Sequence, residues 1–200
     1  MGVLVGKPAP DFTCAAVLGN GEIVDEFTLS EAAKGKYAVL FFYPLDFTFV
    51  CPSELIALDH RMDKFRELGV EVISVSIDSQ FTHNAWRNTA IKDGGIGPVT
   101  YTMAADVRHD ICRAYDVEAE GGVAFGGAFL IDKEGMVRSQ LVNDLPLGRN
   151  VDELVRLVEA LQFHEEHGEV CPAGWNKGDK GMDASPTGVA AYLSENSDKL

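Results

Sequence analysis

Cysteine is scarce in this chain of 200 residues. Cys14, Cys51, Cys112 and Cys171 are too few and too scattered for a disulfide scaffold, and no pair has Cys-x-x-Cys spacing. Basic residues are few as well. Seventeen Lys and Arg against 31 Asp and Glu leave a formal charge of −14, which opposes binding to nucleic acid or to an anionic membrane surface. A small neutral substrate would be unaffected. No apolar run approaches the roughly 20 residues that cross a bilayer, and the start MGVLVGKPAPDF has no charged segment ahead of an apolar stretch, as an export signal would. A cytoplasmic protein with neither a nucleic-acid nor a membrane partner is expected. In a reducing compartment, a cysteine that matters is expected to be reactive rather than a permanent staple.

What is present is enough for one sizeable core: 46% of the residues are hydrophobic. Lys36 to Tyr43, KYAVLFFY, is a continuous apolar run of the kind buried on both faces of a sheet. From Pro52 to Leu68, the residues Leu55, Leu58, Met62, Phe65 and Leu68 recur at helical spacing, with Pro52 in the first turn and Gly69 just past the end. Val70 to Ile77 is a second β-branched strand, so a βαβ unit and a partly parallel sheet follow. A helix over Phe81–Ala90, a strand over Val99–Met103 and a helix capped by Asp106 through Tyr115 come next. AFLI and MVRSQLV flank the turn Asp132 to Gly135 as a hairpin, and Asn150 with Glu153 starts a helix through about Phe163. Gly168 to Pro186 reads as an extended arm, with a short helix over Val189–Leu193.

Cys51 stands between an apolar strand and a helix that begins Pro-Ser-Glu. A thiol reacts as its thiolate, and a helix N-terminus favours negative charge. Thr48 can turn its hydroxyl to the same place, and Pro44, Phe47, Phe49 and Val50 are expected to shield it from water. Cys14 in DFTCAAV and Cys112 in DICRAY have apolar neighbours and no activating feature, so packing is their reading. His60, His83 and His109 are placed on solvated helix faces, and Trp86 and Trp175 in packing or interfaces. His164, His167 and Cys171 could be drawn as a metal site, but they lack a fourth ligand.

PLDFTFVCPSE resembles the peroxidatic motif Pro-x-x-x-Thr-x-x-Cys of the peroxiredoxins, here Pro44, Thr48 and Cys51. HGEVCPAGW at His167 to Trp175 is similar to the resolving-cysteine segment of the typical two-cysteine subfamily, which includes the alkyl hydroperoxide reductase C proteins. NDLPLGR, ending at Arg149, and KPAPDF extend the likeness over essentially the whole chain. The resemblance implies an α/β, thioredoxin-like fold: a central mixed β-sheet flanked by helices, with a peroxidase domain over 1–165 and a C-terminal arm over 166–200. It implies attack of Cys51 on hydrogen peroxide or an organic hydroperoxide, then condensation with Cys171 of a second subunit. Thioredoxin or a dedicated flavoprotein would reduce the disulfide, with no bound cofactor and no metal, in a homodimer that assembles further to a decamer. Thr48 would bind the peroxide, Pro44 would wall the site, and Glu54 and Arg149 would order the loop.

One position departs from that pattern. Aligning AFGGAFLIDKEG puts Gly126 where the family carries an arginine beside the reactive thiolate. Three readings follow: Arg149 or another donor takes over part of the role, the chain is an engineered or spontaneous variant, since Arg and Gly codons can differ by one base, or the enzyme is slow. The fit of the surroundings favours the second, and a lowered peroxide rate is expected. GGIG at Gly94 to Gly97 resembles the loop of readily over-oxidised members, whereas Tyr192-Leu193 stands where those members have Tyr-Phe, so intermediate sensitivity is expected. A holdase chaperone or a peroxide sensor on the same ring assembly is the alternative.

Overall fold

The computed structural model describes residues 2–200, which divide into two compact units, one up to Val151 and one from Asp152 onward. In chain order the first unit contains β1 (Thr13–Val17), β2 (Ile23–Thr28), α1 (Leu29–Ala32), β3 (Tyr37–Phe42), α2 (Cys51–Asp59), α3 (Met62–Glu67), β4 (Val70–Ser76), α4 (Gln80–Arg87), β5 (Thr102–Ala105), α5 (Asp110–Ala114), β6 (Gly126–Ile131) and β7 (Val137–Asn143). The strands form one mixed sheet in the order β2-β1-β5-β4-β3-β6-β7. β3 pairs with β4 in parallel, Tyr37 opposite Val70 through Phe42 opposite Val75, as the βαβ reading requires. β4 pairs with β5 in parallel. β6 runs antiparallel to both β3 and β7, and the second pairing is the expected hairpin.

Every residue of β3 is buried, because the strand lies inside the sheet with both faces covered. Phe42, Tyr115 and Phe129 meet on one face, with ring centroids 5.0 to 5.7 Å apart and two of the three pairs edge-to-face. This rigid floor matters for function because the chain leaves the carboxyl end of β3 directly into the loop before Cys51, the place where open α/β sheets gather reactive groups.

The single helix expected over Pro52–Leu68 is two. After α2, the Arg61 amide bonds the Leu58 carbonyl in a tighter i to i−3 turn, Arg61 takes φ −105° and ψ 3°, and the ladder restarts with Phe65 N–H to Arg61. The expected Asp106 to Tyr115 helix is also shorter. His109 in the left-handed region precedes α5, yet Asp106 still serves its start, accepting the Ile111 and Cys112 amides at 3.0 and 2.7 Å.

From its second residue onward α6 (Val151–His167) belongs to the second unit, which also holds α7 (Pro186–Asn196). α6 ends where Gly168, at φ 71°, gives its amide to His164, a conformation that favours glycine. The segment between the helices is held to itself more than an extended arm would be: Val170 and Met182 exchange two backbone bonds of 2.9 Å. α7 is longer than the expected Val189–Leu193. Ser185 caps it by accepting the Gly188 amide at 3.0 Å, with Pro186 at the first position.

Candidate active site

Cys51 is the first residue of α2 and is 3% exposed. The loop that delivers it is fixed by its own hydrogen bonds. Thr48 Oγ1 donates to the Leu45 carbonyl at 2.8 Å, Ser53 Oγ to the Val50 carbonyl at 2.6 Å, and the Asp46 amide to Asp78 at 2.8 Å. Pro44 is half-buried at the point where β3 gives way to this loop. Phe47 adopts a left-handed backbone, φ 56°, unusual for a bulky residue, and its ring packs 5.7 Å from that of Trp86.

The Cys51 thiol is shifted in the direction opposite to that expected. Burial pushes the Cys51 thiol above its ordinary value; the nearby Thr48 hydroxyl pulls it down, and the Glu54 carboxylate pushes it up again. Loss of water thus outweighs the help expected from the helix N-terminus and Thr48, because a thiolate in low dielectric has lost its hydration. The apolar shield is also thinner than expected, with Phe49 97% and Phe47 51% exposed. Cys14 and Cys112 are pushed up as well, Cys14 to about 11, chiefly by burial, in keeping with packing roles.

Glu54 and Arg149 are both buried and meet in a two-pronged ion pair, Nε to Oε1 at 2.9 Å and Nη2 to Oε2 at 3.1 Å. The Arg149 amide adds a third bond to Oε1 at 2.7 Å, Nη1 donates to the Gly127 carbonyl at 2.7 Å, and the guanidinium lies 3.4 Å over the Phe41 ring. Gly126 opens β6 opposite Asn143. A Cβ on it would stand 3.5 Å from Arg149 Nε and from the Asn143 carbonyl, so the position is beside this pair and has room for a side chain to start. Gly127 is different, since a Cβ there would meet Val117 at 2.9 Å and Phe129 at 3.1 Å.

One cluster escaped the sequence reading. His83, expected on a solvated face, is wholly buried, with Nδ1 2.7 Å from Asp46 and Nε2 3.2 Å from the Ala104 carbonyl. Tyr43 donates to the other Asp46 oxygen at 2.7 Å. The partners lie 37 and 21 residues from His83, so no local pattern could have signalled its burial. Together these groups pin the loop at Asp46, two residues after Pro44.

In the second unit, the half-buried Cys171 donates its thiol hydrogen to the Ala160 carbonyl at 3.3 Å. Burial pushes this thiol up and the Arg156 charge pulls it back. His164 Nδ1 lies 2.8 Å from the Glu169 carbonyl, and the His167 ring stacks on Phe163. Among the described residues no group of three His, Cys, Asp or Glu is placed to hold a metal ion, and no helix is long and apolar enough to cross a membrane.

Residues 5–140 match the model of the AhpC/TSA family, and residues 160–195 match that of the C-terminal domain of 1-Cys peroxiredoxin. The chain belongs to the peroxiredoxins. Among curated relatives of this peroxiredoxin, alkyl hydroperoxide reductase C of Helicobacter pylori is 58% identical over 99% of this chain and 100% of its own. Peroxiredoxin-2 of Macaca fascicularis is 51% identical over 96% of each chain. The crystal structure of reduced Plasmodium vivax 2-Cys peroxiredoxin superposes with a TM-score of 0.93 at 46% identity, over 96% of this chain and 100% of that one. The mixed sheet with flanking helices is therefore the thioredoxin-like fold of peroxiredoxins, and the protein is a peroxidase of the thiol-dependent kind.

Proposed function

We propose that this peroxiredoxin reduces hydrogen peroxide and organic hydroperoxides through Cys51. The thiolate sulfur attacks the distal peroxide oxygen; an S–O bond forms, the O–O bond breaks, and the leaving oxygen takes a proton to depart as water or an alcohol. Cys171 of a second subunit then condenses with the Cys51 sulfenic acid. An S–S bond forms and water leaves, and a dithiol such as thioredoxin, or a dedicated flavoprotein, returns both sulfurs to thiols. The observation that carries this reading is the placement of Cys51 at the first turn of α2, three residues after Thr48 and backed by the Glu54 and Arg149 pair. Pro44 closes the loop behind it. Residues 1–165 form the peroxidase domain, and 166–200 the arm that brings the resolving thiol to a partner. The working unit is a homodimer, assembling to a decamer, in the cytoplasm, without nucleic-acid or membrane partners.

Gly126 lowers the peroxide rate, because no guanidinium extends from that position toward the buried sulfur. The glycine at position 126 leaves a second reading, a holdase chaperone or peroxide sensor on the same assembly. Peroxide consumption with a dithiol reductant separates the two. Turnover lost in Cys51→Ser supports the peroxidase, whereas absent turnover together with suppressed aggregation of a client protein supports the holdase.

A further inference from the structure

Arg156 divides its guanidinium between its own helix and the segment that carries Cys171. Nε and Nη2 bind the two Glu153 oxygens at 2.6 and 2.7 Å, one turn back on α6, and this fork leaves Nη1 aimed at the Trp175 carbonyl, 2.8 Å away. Trp175 is itself buried, packs its ring at a tilt 4.8 Å from that of Phe163 of α6, and gives its indole N–H to the Asp179 carbonyl at 3.1 Å. Four residues before it, Cys171 is bonded to Ala160, also on α6. Two attachments therefore bracket the turn Cys171 to Trp175, one made by the thiol and one by a cation. Lys177 to Glu159, at 3.8 Å, is a longer and more exposed contact.

We propose that Arg156 is a positioning residue, a latch that sets how readily Cys171 leaves α6 to meet the sulfenic acid. This rests on the Cys51 and Cys171 cycle proposed above. In the condensing step the Cys171 S–H bond and the Cys51 S–OH bond break, the S–S bond forms and water departs. The Cys171 sulfur is oxidised and the sulfenic sulfur reduced, so no other oxidant enters. To take part, the Cys171 sulfur must give up Ala160, and the turn around it must come away from the helix. The Arg156 to Trp175 bond resists that movement. Glu153 strengthens the resistance by holding the guanidinium in one orientation, since a fork already fixed loses little freedom in making its third bond. A slow release gives a second peroxide molecule time to convert the waiting sulfenic acid to sulfinic acid. The latch therefore sets the partition between disulfide and over-oxidation.

The test compares the full chain with Arg156→Gln, which removes the fork, and Arg156→Lys, whose ammonium can reach the Glu153 carboxylate or the Trp175 carbonyl but cannot reproduce the fork. Glu153→Gln is a further variant should Arg156→Gln fold poorly. Hydrogen peroxide is added, and mass spectrometry counts Cys51 as dimedone-trapped sulfenic acid, as disulfide and as sulfinic acid. Loss of one such contact is expected to raise the disulfide-to-sulfinic ratio about three- to tenfold in Arg156→Gln, with Arg156→Lys between it and the parent and sulfenic acid formation unchanged. A role confined to lowering the Cys171 pKa would do the reverse, slowing the disulfide at neutral pH and recovering it as pH rises. An unchanged or lowered ratio with sulfenic acid present overturns the latch alone. Absence of trapped sulfenic acid at Cys51 in every protein overturns the cycle, and the latch with it.

Discussion

Glu54 holds Arg149 at three points, through two prongs of the guanidinium at 2.9 and 3.1 Å and through the main-chain amide at 2.7 Å. The pair joins the fourth residue of α2 to the loop before α6, and both groups are buried. The arrangement fixes the helix that presents Cys51. It also sets a carboxylate near a sulfur whose thiol burial already pushes above its ordinary value.

Breaking this pair is expected to be costly. Arg149→Ala strands a buried carboxylate, and Glu54→Gln a buried guanidinium, each at about 3 to 5 kcal/mol of folding stability. Urea unfolding followed by circular dichroism measures the loss. Glu54→Gln should in addition lower the pH at which Cys51 ionises, because it removes the carboxylate that opposes the thiolate.

Placing a guanidinium at position 126 is expected to speed the peroxide step. Gly126→Arg adds a charge-assisted contact of about 1.5 to 3 kcal/mol, or about ten- to a hundred-fold in rate. A Cβ there makes only ordinary contacts of 3.5 Å or more, so the backbone leaves room for a side chain to start. Stopped-flow rates for the two proteins decide the matter, and equal rates would refute a role for the missing cation.

The direction of the Cys51 shift fixes the pH profile. A raised thiol remains protonated until pH passes its displaced value, so the second-order rate with peroxide should climb about tenfold per pH unit and should not level off below the ordinary 9.0. Gly126→Arg should move the plateau to lower pH. Iodoacetamide alkylation of Cys51 across the same range provides an independent check.

His83→Leu is expected to cost at least about 2 kcal/mol, because the Asp46 carboxylate keeps its burial and loses a partner at 2.7 Å. The loss should appear first as faster hydrogen exchange over residues 44–50, the stretch that Asp46 anchors.

The elements that place the thiol were legible because their signals are local. KYAVLFFY announces a strand covered on both faces, and Pro52 and Gly69 bracket the helical stretch. The break at Arg61 was not, since Leu58 and Met62 keep the apolar period across it and only the backbone registers the change. Phe47 and Phe49 read as a shield because side-chain type says nothing of direction in a loop whose backbone turns left-handed at Phe47. His83 sits among polar neighbours on α4, and its burial depends on Asp46 and Ala104, both far away in sequence. The rise in the Cys51 thiol was hidden for a related reason. A helix start can be read from Pro-Ser-Glu, but the depth at which the sulfur lies depends on how the whole loop packs.

A single-turnover reaction of the reduced protein with hydrogen peroxide, with Cys51→Ser and Cys171→Ser run beside it, bears most directly on Cys51 as the reacting atom. The expected result is one peroxide consumed per chain, giving a disulfide in the parent, a trapped Cys51 sulfenic acid in Cys171→Ser, and no consumption in Cys51→Ser. Consumption by Cys51→Ser at the parent's rate would contradict it.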